Sequence, residues 1–435
     1  MMSGRSIVVG NLTEYNASSR RERGSPYERE LWRRGSDDLS DMAAFWGGDD
    51  KVVIAPSGID HAWIDDLGRR LDWRIDVVEP RPHSGSVLDD LLLDDAAMRG
   101  LVSLLAGPVS VEPWGTTPGT IRLLAALRAH GIAATSVEPA RERLWTVGYL
   151  DGKVALDDLA ATCPDLTVPA YATAVDFEQL LGLVDVAIEQ RRPFVVKSNV
   201  GVGGFGTFIA DPDLIIRADE VRARLLEAIG EEPVFREGPF IVQDWIAADA
   251  GELRPTFDGE VRLDGSVRVV GVGGMIVDEA VYRGVAVGAI GLDDDVVTLA
   301  IRVGEQVGRR AAELGYAGWY DVDFIRHRDG TLYATEINAR RTSPTHAFAL
   351  LDRWGCGRHA GVRCVLTDDD VPLGHPVRGW TDISAAFADL GGGTVAVATI
   401  CRRLSADPAH VGVAVGAPTL AAATAALERL RERLA

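Results

Sequence analysis

GWYDVDFIRHRDGTLYATEINARRTSPTHA, residues 318–347, holds two apolar-rich runs on either side of Asp329-Gly330. Asp-Gly between such runs is a two-residue hairpin signal. With that turn Arg328 pairs with Thr331, so Asp323 falls directly opposite Glu336 and Asp321 opposite Asn338. Glu336 and Asn338 share a face because strand side chains alternate. Like charges facing each other across a ladder are destabilising, and a bound cation removes that cost. Carboxylates with an amide oxygen are hard ligands suited to Mg²⁺, which completes its shell with water and substrate phosphates. The plain alternative is a solvated acidic hairpin. Phe324, Ile325, Leu332 and Ile337 argue instead for a largely buried sheet. Arg340 and Arg341 follow at once. A cation beside a metal site suits a phosphoryl group or a carboxylate. An ordinary surface charge is the competing reading, more so for Arg341.

A second dense signal lies upstream. PFVVKSNVGVGGFGTFIADPDL, residues 193–214, carries Gly201, Gly203, Gly204 and Gly206 after a β-branched run that ends at Lys197. Gly201, Gly203 and Gly206 satisfy GxGxxG, but a dinucleotide turn needs a helix to begin inside the motif. Thr207-Phe208-Ile209-Ala210 and then Asp211-Pro212 read as a strand and a turn. The glycines therefore join two strands. Such a hairpin lets main-chain N–H groups approach phosphate oxygens with no Cβ in the way, and Lys197 adds a mobile positive charge. A flexible surface hairpin is the plainer reading. No GxxxxGK[ST] run exists, which excludes a P-loop.

Outward from these two elements the chain alternates strands and helices. Residues 6–9, 51–55 and 71–78 read as strands, and residues 28–34 and 120–130 as helices, the latter stopped by Gly131. This is an open α/β unit that ends near residue 140. Asp151-Gly152 is a turn before a helix, and residues 176–190 form a second helix with Leu180, Leu181, Val184 and Ile188 on one face. Beyond residue 351, residues 391–393 are a glycine turn, 394–400 and 411–415 strands, and 420–434 an amphipathic helix. The acidic runs at residues 293–295 and 368–370 read as helix caps or solvated loops.

The 435 residues carry a formal net charge of -19. Phosphate backbones and anionic lipid surfaces repel such a chain, so neither nucleic acid nor membrane is expected as a partner. The four cysteines, Cys163, Cys356, Cys364 and Cys401, form no CxxC and read as buried free thiols. The N-terminus lacks the apolar core of a signal peptide, and no apolar run approaches the roughly 20 residues that span a bilayer. The expected location is the cytoplasm.

The glycine hairpin and the acidic strand pair, in this order, resemble the ATP-grasp superfamily over residues 145–350. The resemblance implies ATP with Mg²⁺, or Mn²⁺, as cofactors. Lys197 matches the main ATP lysine and Lys153 an earlier one, with Gly201, Gly203, Gly204 and Gly206 over the phosphates. Gln243, Asp244, Trp245 and Ile246 look like the hinge over adenine, although an acidic residue more often stands at the place of Gln243. The ribose acid is Asp249 or Glu252. Asp323, Glu336 and Asn338 match the metal ligands, and Arg340 the arginine that meets the reacting phosphate or carboxylate. The Gly10-Asn11 strand ending, EINARRTSPTHA and the C-terminal strand–helix unit are similar to the pheganomycin-type peptide ligase branch.

That resemblance implies an α/β chain in three parts: a pre-ATP-grasp domain over 1–142, an ATP-grasp core with a lid hairpin over 143–352 and a small α/β unit over 353–435. It implies ADP-forming ligation of a small carboxylate to an amine, amino acid or peptide, often in peptide natural-product assembly, and it allows a homodimer. Lys197 and Arg340 would be the catalytic cations. His346 is a candidate for substrate contact or a structural histidine, and Ser343 and Thr345 are candidates for the acceptor site. The rival expectations are another ATP-grasp reaction, such as a biotin-type carboxylase subunit or a primary-metabolic ligase, and a non-catalytic nucleotide-binding protein.

Overall fold

A computed structural model describes residues 5–20, 26–81, 84–200, 205–235, 238–248, 251–278, 281–356 and 359–435. Five short strands open the chain: β1 Arg5–Val9, β2 Asp50–Ile54, β3 Arg74–Val78, β4 Val109–Pro113 and β5 Ala134–Thr135. They form a parallel sheet in the order β3-β2-β1-β4-β5. Helices cover both faces, as parallel sheets require. Residues 71–73 do not belong to β3. Leu71 instead ends the helix His61–Leu71, and Asp72 caps it in the left-handed conformation. The helix Pro118–Ala129 is N-capped by Thr117, and Gly131, with φ +78°, ends its run as expected.

The second sheet is antiparallel, β6 Tyr171–Ala174, β9 Phe240–Asp244, β7 Phe194–Ser198 and β8 Thr207–Ala210, in the order β6-β9-β7-β8. β7 and β8 pair from Phe194↔Ala210 to Lys197↔Thr207, so the glycine segment joins two strands and the dinucleotide reading fails as argued. Phe194, Val196, Phe240 and Val242 pack into a core with the helices Phe177–Glu189 and Ala218–Glu231. Lys197, Val195, Ile241 and Gln243 occupy the other face.

The third sheet has eight strands. β10 Arg254–Val261, β11 Val267–Asp278, β12 Val281–Gly288, β13 Gly318–Arg326, β14 Leu332–Asn338, β15 Cys364–Pro372, β16 Val395–Ile400 and β17 His410–Ala417 run in the order β14-β13-β10-β11-β12-β15-β17-β16. The C-terminal strands thus extend this sheet. Residues 368–370 lie in β15, not in a loop. Asp368 pairs with Arg431 at 2.6 Å, Asp370 with Arg403 at 3.0 Å, and the ladder shifts register at this point. The helix Asp294–Leu314 covers one face of β10 and β13. A Cβ on its Gly304 would come within 2.3 Å of the Phe257 ring, so the helix lies close to the sheet only because glycine stands there. Phe257, Tyr320 and Val322 fill that apolar face. Side chains alternate, so Asp258, Asp321 and Asp323 turn to the other.

Cys163, Cys364 and Cys401 are buried thiols, whereas Cys356 is exposed beyond the helix Pro344–Gly355. Among the described residues no helix is long and apolar enough to cross a membrane. The segment between β1 and β2 is joined to the C-terminal strands by a buried ion pair. Asp41, fully buried, accepts from the Cys401 and Arg402 main-chain N–H groups at 2.8 and 3.0 Å and from Arg402 Nε at 2.9 Å. Arg402 also donates to Ser57 O and Pro56 O at 2.7 and 2.6 Å. Removing one partner strands the other charge without water. Asp41→Ala should therefore cost roughly 3–5 kcal/mol of unfolding free energy in urea titrations, and a loss below about 1 kcal/mol, the scale of an exposed pair, would refute this account of the junction.

Candidate active site

The acidic hairpin is built differently from the simplest reading, yet it reaches the same pairing. The turn is one residue longer than expected. His327 N donates to Thr331 O at 2.8 Å, and residues 328–330 form the loop, with Gly330 at φ +92°. That is a three-residue loop with glycine in its left-handed position. A bulge at Thr335 then absorbs the extra residue. Phe324 pairs with Ala334, but Asp323 still pairs with Glu336 and Asp321 with Asn338. The bulge also aims a carbonyl outward, and Lys197 Nζ donates to Thr335 O at 2.9 Å. The irregularity in the third sheet is thus the point where the second sheet attaches.

On its other side β13 pairs with β10, Thr256 opposite Asp323 and Asp258 opposite Asp321. One face of the sheet therefore presents two rows, Thr256–Asp323–Glu336 and Asp258–Asp321–Asn338. Asp258 and Asp321 are buried at 1% and 2% exposure. Burial, and then the neighbouring carboxylates, push Asp258 and Asp323 well above the usual range and Asp321 up to about 8. Glu336 goes the other way. Burial raises it, but Lys153 and Lys197 outweigh burial and hold it below its ordinary value. Lys153, at the N-terminus of the helix Lys153–Ala160, is ion-paired with Glu336. Burial draws Lys197 down to about 8, with Glu336 opposing. Asn338 Nδ2 donates to Asp321 Oδ1 at 2.8 Å and Arg340 Nη2 donates to Asn338 Oδ1 at 2.8 Å.

The structure thus brings together Lys153, Lys197, Asp323, Glu336, Asn338 and Arg340, from four separate stretches of chain. Asp258, Thr256 and Asp321 join them. The TFD of residues 256–258 alternates polar and apolar, but nothing in it marks its partner strand. Gln243 is buried and shares the Lys197 face of its sheet, since Lys197 pairs with Ile241 and Val195 with Gln243. Asp244 does not. It sits across from Phe194, on the core face, ion-paired with Arg192, so only its main chain is open to the Lys197 side. Trp245 and Ile246 follow directly, and Trp245 N donates to Pro193 O at 3.2 Å. Glu252 lies 3.6 Å from Arg326. Gly206 N donates to Glu232. Gly201, Gly203, Gly204 and Asp249 lie outside the described residues.

His346 is fully buried against Phe45, with ring centroids 5.8 Å apart, and burial lowers it to about 4. Thr345 is buried too, and its Oγ1 accepts from Thr342 N at 3.2 Å, while Ser343 is half-buried. Arg341 is no surface charge. It is 4% exposed, donates to Pro113 O at 2.7 Å, pairs with Glu112 at 2.9 Å and lies over the Trp319 ring at 4.6 Å.

The residues fit a small hard cation. Asp323 Oδ1 and Asp258 Oδ2 are buried carboxylate oxygens without a hydrogen-bond partner, a costly state unless a positive group reaches them. Among the described residues no three His, Cys, Asp or Glu side chains enclose an ion by themselves. A Mg²⁺ bound through one or two carboxylates and substrate phosphates does not need three.

No protein-family model matches the chain. In sequence it is similar to the L-propargylglycine–L-glutamate ligase of Streptantibioticus cattleyicolor, 24% identical over 361 residues, 76% of this chain and 71% of that protein. In structure it is similar to the biotin carboxylase domain of Hydrogenobacter thermophilus 2-oxoglutarate carboxylase, solved with MgADP, ADP and bicarbonate. The TM-score is 0.54 at 14% identity, over 100% of this chain and 90% of that one. It is also similar to N5-carboxyaminoimidazole ribonucleotide synthetase of Thermus thermophilus, with TM-score 0.53 at 12% identity, over 99% and 98% of the two chains. These likenesses extend over nearly the whole of this chain and show that it shares the ATP-grasp fold of those enzymes.

Proposed function

We propose that the chain is an ATP-dependent, ADP-forming ligase that joins a carboxylate to an amine through an acyl phosphate, in the assembly of a peptide natural product. The observation that carries this reading is the convergence of Lys153, Lys197, Glu336, Asn338 and Arg340 around the bulge at Thr335. Two lysines on one side and a carboxylate pair on the other make a site for polyphosphate together with a divalent ion. The ligase relative supports the peptide setting, since its name describes the joining of two amino acids.

Lys153, from the start of its helix, and Lys197, from the small sheet, orient the phosphates. Asp323, Glu336 and Asn338 would hold Mg²⁺, which would offset charge on the phosphates. A substrate carboxylate oxygen attacks the γ-phosphorus, and the bond to the bridging oxygen of ADP breaks. The amine then attacks the acyl carbon, inorganic phosphate leaves, and the amine gives up a proton. Arg340, 7% exposed, is fixed by Asn338 and faces Asp151 at 3.7 Å. It can stabilise phosphoryl oxygens and then the tetrahedral oxyanion. Gln243 takes the adenine amino group through its side-chain oxygen.

Glu336→Ala should abolish ADP release and hydroxamate formation when ATP, Mg²⁺, a carboxylate panel and hydroxylamine are supplied, with a loss of at least about 100-fold, the scale of removing a preorganised electrostatic group. Unchanged ADP release would refute the site assignment. ADP release that needs bicarbonate and no amine would replace the ligase reading with a carboxylase.

The raised carboxyls give a second test. Between the ordinary value of 3.8 and about 8, folded Asp321 keeps a proton that the unfolded chain has released. Its contribution to stability is therefore full below that window, falls across it and is level above it. The protein without divalent ions should lose stability from about pH 5 to about pH 8, and Asp321→Asn should flatten that slope. Mg²⁺ should raise the melting temperature more at the higher pH, because protons no longer compete with it. Differential scanning fluorimetry measures both effects, and equal Mg²⁺ shifts at the two pH values would contradict the assignment.

A further inference from the structure

The carboxylate face does not end at Asp321. The next position of β13 on that face is Trp319, one pleat repeat or about 7 Å along the strand, and it pairs with Glu260 of β10. Beyond them a cleft of about 370 Å³ opens between the third sheet and the ends of β4 and β5. That size is at the lower end for small-molecule sites. Arg340 lines the cleft, as do Leu263 of the β10–β11 connection and Arg268 at the start of β11.

Three properties of this cleft define what it takes. Its walls are aromatic: Trp114 lies under Arg340 at 5.5 Å, and Trp319 lies under Arg341 at 4.6 Å and Arg268 at 5.1 Å. Its ionisable lining has both signs, with Arg268, Arg340 and Arg341 beside Glu112, Glu138 and Glu260. It also holds unused donors. The Nε groups of Arg340 and Arg341 are buried with no hydrogen-bond partner, although the rest of each guanidinium is bonded. Buried donors left open cost stability that a ligand oxygen recovers. Glu138 accepts from Ser136 Oγ at 2.9 Å and from the Thr116 hydroxyl, and burial pushes it up to about 8. Held neutral, it donates to an anion where a charged carboxylate would repel it.

We propose that this cleft is the amine-substrate subsite, selecting an amino acid or peptide end that carries a free carboxylate and a bulky apolar side chain. The carboxylate takes the open Nε–H of Arg341, and the side chain lies against Trp319 and Trp114. The amine points past Arg340 toward the carboxylate rows. A zwitterion finds partners for both of its charges in this lining, and neither a simple amine nor bicarbonate uses both the aromatic walls and the donor. The proposal rests on the ligase reading, but its test is independent of turnover.

The experiment is a titration of the full chain, followed by tryptophan fluorescence and calorimetry, with L-phenylalanine, glycyl-L-phenylalanine and L-phenylalaninamide. The acid and the dipeptide should bind, and the amide at least about tenfold more weakly, since it offers the Arg341 guanidinium no charged oxygen. Trp319→Ala should weaken L-phenylalanine by about tenfold or more, the scale set by losing a large buried ring. Arg341→Lys should erase the preference for acid over amide, with thermal melts reporting whether each variant is folded. Equal binding of acid and amide by the wild-type chain, no binding of any of the three, or binding undiminished in folded Trp319→Ala would each overturn the proposal. Absence of hydroxamate with every carboxylate would instead overturn the ligase reading and leave these binding results interpretable.

Discussion

The structure turns on the repulsion between carboxylates fixed face to face. Asp323 and Glu336 are partners in one antiparallel ladder, and Asp258 and Asp321 are partners in the next. The strands cannot slide to separate them. A slip of one residue would bring Phe257, Tyr320 and Val322 out of the apolar core beneath the helix Asp294–Leu314 and put the acids into it. The hydrophobic face therefore fixes the register, and the register enforces the charge cluster. What remains adjustable is the set of positive groups that answer it.

Three sets of cations do so. Lys153 reaches Glu336 from the start of a helix, Lys197 reaches the same acid electrostatically from the small sheet, and Arg340 closes the row through Asn338. The carboxylates farther from the lysines keep their protons instead. A divalent ion with polyphosphate would compete for the same oxygens and give the lysines a second anion to hold. That exchange would couple nucleotide binding to the relation between the two antiparallel sheets, because Lys197 also donates the hydrogen bond from β7 to the bulge.

Part of this was legible in the sequence. Asp-Gly marked the hairpin, and alternation around Phe324 and Ile337 marked its buried face. The pairing Asp323↔Glu336 follows from a two-residue loop, while the molecule uses a three-residue loop and a compensating bulge at Thr335. A period-2 pattern cannot reveal a bulge, since the extra residue cancels the longer turn. Asp258 was hidden for a different reason. Its strand pairs with β13 across a long separation, and local pattern does not encode distant partners. Arg341 looked like a surface charge because its environment comes from Trp46, Trp319 and Glu112 on three remote segments. The acids of residues 368–370 misled in the same way, as arginines far along the chain neutralise two of them within a strand.

The central claim is that the carboxylate rows and the two lysines form a Mg²⁺-dependent nucleotide site. Isothermal titration of ADP into the protein, with and without Mg²⁺, tests it most directly when wild type is compared with Asp323→Asn. The account predicts binding that strengthens with Mg²⁺ in the wild type and loses that Mg²⁺ dependence in the variant. ADP affinity indifferent to Mg²⁺ in the wild type, or equally Mg²⁺-dependent in folded Asp323→Asn, would contradict it.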